Sequence, residues 1–211
     1  MTATSPPPET LRSIAPSGWW QLDCVWEAKT LDLQKKTFAP PIPPAWRLLL
    51  LNDGYNTRNL GLITGEDIAA TMIGTTAIAP AALESGLSEA PAAVSLLDTP
   101  NLRRQVMLRT ASGTPLAYGV SWWNDDCMRS HLRHPEQPIG RDLSLHRTEL
   151  YRELHGLYLG HSDELEREFG VEGPFWGRHY VLWHHQHPLT VIVEVFSNLL
   201  TRYLGPNTIK Q

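Results

Sequence analysis

Apolar positions along this chain fall in short runs that alternate with turn-forming residues. Trp46-Arg47-Leu48-Leu49-Leu50-Leu51 is apolar apart from one arginine, and the prolines before it suit the first turn of a short helix. Asp53-Gly54 marks a turn, and Thr57 is placed to cap a second short helix. Ile68–Ile73 predicts a first strand from its apolar and β-branched residues. Ala77–Val94 is rich in small residues and specifies little. Arg104–Leu108 and Leu116–Trp123 are apolar runs separated by Ala111-Ser112-Gly113-Thr114-Pro115, which predicts an antiparallel hairpin. A loop rich in His and Arg follows, to Pro138, and Ser162–Phe169 is charged and helix-like. Tyr180–His184 and Leu189–Phe196 flank a His-Gln-His-Pro turn and predict a second hairpin.

One segment, Arg147–His161, carries two periods. Leu150, Tyr151, Leu154, Leu157 and Tyr158 fit helical spacing, while Tyr151, Glu153, His155, Leu157 and Leu159 would share one face of a strand. Hairpins dominate and no βαβ rhythm is present. The pattern therefore predicts an α+β fold on an antiparallel sheet.

Length and charge narrow the function. At 211 residues one domain is expected, with enough chain for a proper core. With 18 Lys+Arg against 22 Asp+Glu, the net charge is −4, which argues against nucleic acid as the partner, since phosphate contacts need a basic surplus. A small anion could still be met by one or two local arginines. No apolar run approaches the roughly 20 residues of a membrane span, and Met1–Glu9 has no apolar signal core. A cytoplasmic protein is expected. Cys24 and Cys127 lie far apart and read as isolated reduced thiols.

Eight of the 17 prolines fall in the first 44 residues. Pro6, Pro7, Pro8 and Pro16 predict a loose tail. Between them and Pro40, the residues Trp19, Trp20, Leu22, Val25 and Trp26 are too apolar for a free linker and are expected to pack on the domain. The expected division is a proline-rich extension at 1–44, a domain at 45–205 and a tail at 206–211.

Candidate chemistry is sparse. His179, His184, His185 and His187 cluster, but no ligand motif surrounds them, so they read as solvent-facing strand and turn residues and no metal is expected. Nucleophile elbows, glycine-rich phosphate loops and catalytic-cysteine signatures are missing, so use of a nucleotide cofactor is unsupported. Arg104 and Glu194 each sit alone in an apolar strand candidate, which is costly to bury unless paired. Three readings stand: the face is wet, the two form an ion pair, or both line a pocket where Arg104 receives a carboxylate.

Five pieces in order resemble the chorismate pyruvate-lyase family, the 4-hydroxybenzoate synthases, and its longer branch in particular. They are Leu48–Arg58 around Asn52-Asp53-Gly54, the arginine-bearing strand Arg103–Leu108, the loop Pro138-Ile139-Gly140-Arg141, Phe175-Trp176-Gly177-Arg178, and the terminal strand Pro188–Phe196 with its one glutamate. The likeness spans roughly residues 44–204. Asn56 stands where short members carry methionine, and Ile139 replaces leucine. The resemblance implies an antiparallel sheet with an enclosed ligand pocket under helices, and it tips Arg147–His161 towards strand. It implies loss of pyruvate from chorismate to leave 4-hydroxybenzoate for plastoquinone or ubiquinone synthesis. Arg104 and Glu194 would be catalytic, with Asn56, Ile139, Gly140, Arg141 and Arg178 binding substrate. The alternative is a non-catalytic module of the same fold that binds an aromatic acid. Nothing in the sequence sets an oligomeric state.

Overall fold

Seven strands form one antiparallel sheet: β1 (Asp23–Lys29), β2 (Ile68–Ala77), β3 (Leu102–Thr110), β4 (Pro115–Trp123), β5 (Tyr151–His161), β6 (Phe175–His184) and β7 (His187–Phe196). Their order is β1-β5-β6-β7-β4-β3-β2. The computed structural model describes residues 18–33, 35, 40–79, 90–134, 137–145 and 149–208. The expected tail around Pro6–Pro16 and much of the small-residue stretch, 80–89, lie outside these.

Both predicted hairpins form, as β3–β4 and β6–β7. The second turn is tighter than the sequence suggested. His184 pairs with His187, leaving only His185 and Gln186 in the turn, with φ of 45° and 65°. Both central residues at positive φ give a turn whose twist suits the strands it joins. His187 and Pro188 therefore open β7.

The doubly periodic segment is β5, a strand, but not one of plain alternation. A bulge between Leu154 and Gly156 shifts the register by one residue. Leu154, Leu157 and Leu159 consequently share one face with Arg152, while Glu153, Gly156 and Tyr158 take the other. The single expected face running from Tyr151 to Leu159 does not exist.

Among the described residues seven short helices connect and cover the strands: α1 (Thr30–Leu33), α2 (Pro44–Leu50), α3 (Asn56–Thr64), α4 (Asp125–His131), α5 (Ile139–Leu145), α6 (Asp163–Phe169) and α7 (Thr201–Leu204). Pro44 opens α2, where its missing N–H is not needed. Thr57 does not cap α3. The helix begins two residues earlier than such a cap would set, after Tyr55, and the loop before it is organised by Asn52. Its Oδ1 accepts from the Gly54 N–H and Asn59 Nδ2, and its Nδ2 donates to the Leu48 and Leu49 carbonyls.

The sheet is covered on both faces. One face meets α2 and α3 through Leu49, Leu50, Leu60, Trp176 and Phe196, and meets α4 and α5 through Met128, Leu143, Trp123 and Ile192. The other face, with Met107, Tyr118, Trp122 and Val193, packs against Leu165 and Phe169 of α6. The tryptophan segment lies on that second face. Trp19 meets Trp122 edge-on at 5.4 Å, Trp20 lies 5.0 Å from Tyr118, and the Trp20 N–H donates to the Tyr118 hydroxyl. Trp26 turns the opposite way, towards Trp176. β1 pairs with β5 as an edge strand of the same sheet.

Candidate functional site

Strand register gathers the site. Arg104 of β3 pairs with Ser121 of β4, Ser121 with Ile192 of β7, and Ile192 with Tyr180 of β6. The next row on that face runs Val106, Gly119, Glu194, Arg178. Gly119 carries no side chain beside Glu194, so the sheet surface is recessed there. Above the recess lie the first residues of α3 (Asn56, Thr57) and α5 (Ile139, Gly140), with Tyr55 between them. Together they close a cavity of about 60 Å³. A cavity that admits benzene is about 150 Å³, so a ring-sized ligand requires α3 and α5 to part. They meet closely at one point: a Cβ on Gly140 would lie 2.5 Å from Tyr55 Cδ1.

Glu194 is buried and fixed at both oxygens. Arg178 Nε donates to Oε2 at 2.8 Å and the Tyr180 hydroxyl donates to Oε1 at 3.1 Å. Burial, together with the Glu194 anion, pushes the Tyr180 phenol well above its ordinary range, so it is a donor at neutral pH. Arg104 is 2 % exposed and donates from Nη2 to the Gln137 carbonyl at 2.9 Å. Its wet-face reading is overturned, and so is that of Glu194. The ion pair of Glu194 is with Arg178.

Arg178 is fully buried and does not line the cavity. Nη1 donates to the carbonyls of Leu49, Leu50 and Asn52, which ties the end of α2 to the sheet. Its place is behind Glu194. Asn56, Ile139 and Gly140 do line the cavity. The Asn56 amide is 5 % exposed and neither its oxygen nor its nitrogen has a protein partner. Arg141 falls in α5, with its side chain outside the described residues.

Sequence reasoning missed Arg152. It lines the cavity from β5, stacks its guanidinium 4.1 Å from the Tyr180 ring centroid, and donates to the carbonyls of Asn52 and Gly54. Its signal was a lone arginine in a strand, but the segment also read as a helix, and the bulge hid which face it took. Among the described lining residues, two arginines thus face one carboxylate, with a third guanidinium behind it. The site is biased towards anions.

The histidines do not converge there. His179 is buried, on the other face of the sheet, against Tyr158, and is not the solvent-facing residue expected. Among the described residues no three His, Cys, Asp or Glu side chains gather as a metal site. Cys24 and Cys127 are free thiols. No helix among the described residues is long and apolar enough to cross a membrane.

Fold and site together define an α+β protein whose single antiparallel sheet carries a partly open, arginine-lined cavity beneath two short helices. The profile of one family, described as chorismate pyruvate-lyase Rv2949c-like, matches residues 50–204. The chain belongs to that family. Among relatives, an uncharacterized protein of Cyanophora paradoxa, ycf21, is 30% identical over 184 residues, covering 85% of this chain and 91% of its own. The ycf21 protein of Pyropia yezoensis is 33% identical over 162 residues, covering 77% and 86%. A solved structure, a possible transcriptional regulator, YydK, of Bacillus subtilis, aligns at TM-score 0.47 and 12% identity, covering 68% of this chain and 61% of that one.

Proposed function

We propose that this protein is a chorismate lyase, removing pyruvate from chorismate to leave 4-hydroxybenzoate. Family membership supports the reaction class. The observation that carries the reading is the cavity itself: Arg104 and Arg152 in its wall, Glu194 held between Arg178 and Tyr180, and an unpartnered Asn56 amide. Chorismate is a dianion, and two buried guanidiniums on β3 and β5, with three strands between them, suit two carboxylates held apart. In this reading Arg104 takes the ring carboxylate. Arg152 faces the pyruvyl carboxylate, the role the family resemblance also assigns to Arg141, and Arg178 acts as a positioning residue that holds Glu194.

The chemistry asks little of a base. The C4 proton and the C3 enolpyruvyl oxygen leave, a C3–C4 double bond forms, and the ring becomes aromatic. The departing enolate of pyruvate takes up a proton at oxygen, and the resulting enol tautomerises to pyruvate. Aromatisation drives the step, so the protein's work is to bind the dianion, hold the eliminating conformer and stabilise charge on the departing oxygen. Glu194 hydrogen-bonds the 4-hydroxyl or accepts the C4 proton. Asn56 and the first-turn N–H groups at Asn56 and Ile139–Gly140, which have no intrahelical acceptors, are placed to meet the ring acid. Neither metal nor organic cofactor enters the scheme. The product would feed plastoquinone or ubiquinone synthesis in the cytoplasm.

The test is direct. Purified protein with chorismate should release pyruvate and 4-hydroxybenzoate in equal amounts. Folded protein that binds 4-hydroxybenzoate but releases no pyruvate would instead be the non-catalytic module.

A further inference from the structure

A second cavity, of about 230 Å³, lies on the opposite face of the sheet from the first. Two glycines shape this face. Tyr158 of β5 pairs with Gly177 of β6, and Gly177 with Val195 of β7. The missing side chain at Gly177 leaves a hollow between Tyr158 and Val195. Leu22 of the tryptophan segment dips into it, its Cδ1 3.2 Å from where a Cβ would stand. In the neighbouring row, a Cβ on Gly156 would collide with His179 and the Tyr158 hydroxyl, so glycine there lets the two polar groups meet. The cavity walls are Trp19, Leu22, Val193, Val195 and Pro91, with half-buried Tyr158 supplying a polar group. Cys24 is exposed and also lines the cavity, so access is from its side.

We infer that this cavity is a binding site for a small neutral aromatic bearing a hydroxyl, a phenol rather than an aromatic acid. Size, charge and hydrogen bonding agree. The space exceeds the roughly 150 Å³ that admits benzene. Among the described residues no cationic side chain lines it, and Asp23 and Glu27 stand near its mouth at Cys24, Glu27 partly offset by Lys29 at 3.0 Å, so a carboxylate would enter against the like charge of Asp23 above all. Burial, with His155 alongside, holds His179 neutral, its pKa lowered to about 4. A neutral imidazole can accept the Tyr158 proton at Nδ1. The Tyr158 oxygen then keeps lone pairs for a ligand hydroxyl. The site is separate from the anion-binding cavity, and the inference does not depend on the lyase reading.

Cys24 supplies a reporter inside the site. In a full-length Cys127→Ser chain, the rate of Cys24 alkylation is measured against 4-fluorophenol, 4-fluorotoluene and 4-fluorobenzoate. The phenol should protect Cys24 at about fivefold lower concentration than the toluene, the worth of one net hydrogen bond. The benzoate should protect least. Tyr158→Phe should abolish the preference for the phenol while toluene protection persists, which also shows that the variant retains the cavity. Ala90→Leu, at the loop wall, should weaken protection by both. Asn56→Ala, in the other cavity, should change nothing. Equal protection by benzoate, a phenol preference that survives Tyr158→Phe, or no protection by any of the three would overturn the inference.

Discussion

Arg178 is the residue on which sheet, helix and cavity converge, and its removal gives the sharpest test. Arg178→Met keeps most of the stem and deletes the guanidinium. Glu194 loses its 2.8 Å partner, and the carbonyls of Leu49, Leu50 and Asn52 lose a donor. The first two belong to the last turn of α2, where no intrahelical donor replaces it. Stranding one member of a buried ion pair costs about 3–5 kcal/mol. The Leu49 and Asn52 carbonyls keep Asn52 Nδ2 and Arg152 Nη1 as donors, so only the Leu50 carbonyl is left dry, worth at most about 1 kcal/mol, and the expected loss is about 4 kcal/mol. For a domain of this length that lowers Tm by about 8–16 °C. Urea unfolding followed by tryptophan fluorescence measures the loss, and calorimetry measures Tm. Adding Glu194→Leu removes the stranded carboxylate and should return about half the loss. If Arg178→Met lies within about 1 kcal/mol of the parent, or the double variant is no more stable than the single, the pair is not holding this face together.

Other outcomes follow from the same geometry. Arg104→Ala should weaken chorismate and 4-hydroxybenzoate together, by about 10- to 150-fold in calorimetric titration, the value of a charged hydrogen bond. Glu194→Gln should lower kcat by less than about tenfold if both oxygens serve positioning, whereas loss of a base costs about 10²–10⁴. Gly140→Ala drives a methyl into Tyr55 and should cost about 1–3 kcal/mol in urea, with Tyr55→Ala restoring part of it. His179 is neutral when folded, while the unfolded chain binds its proton near pH 6.5, so this contribution is full above pH 6.5 and is lost as pH falls towards about 4. His179→Gln should flatten the fall in urea midpoint across that window.

Much of the fold was legible because hairpins are local. The runs Arg104–Leu108, Leu116–Trp123, Tyr180–His184 and Leu189–Phe196 each lie inside a strand of β3–β4 or β6–β7. What escaped was non-local. Nothing near Leu154 announces the bulge that places Arg152 on the cavity face, since it is the pairing with β6 that reveals it. Arg104 and Glu194 were recognisable as odd charges in apolar runs. Arg178 was recognisable only as a motif arginine, because three of its acceptors are carbonyls at the end of a helix about 130 positions away, even though Glu194 faces it on the other strand of its own hairpin. Asn56 shows the limit of composition: its lack of partners exists only in three dimensions.

The hydrogen bond from Arg104 to the Gln137 carbonyl has a last consequence. Gln137 immediately precedes the Pro138–Gly140 roof of the cavity, so the arginine that would receive an anion is already employed in holding that roof down. An incoming carboxylate that claims this donor displaces a backbone acceptor and frees it to solvent. Affinity at Arg104 is then a difference between two occupants and not a sum of new contacts. If the carboxylate takes that same N–H and not one of the other four, occupancy and closure become alternatives at one nitrogen, and filling the space loosens the roof above it.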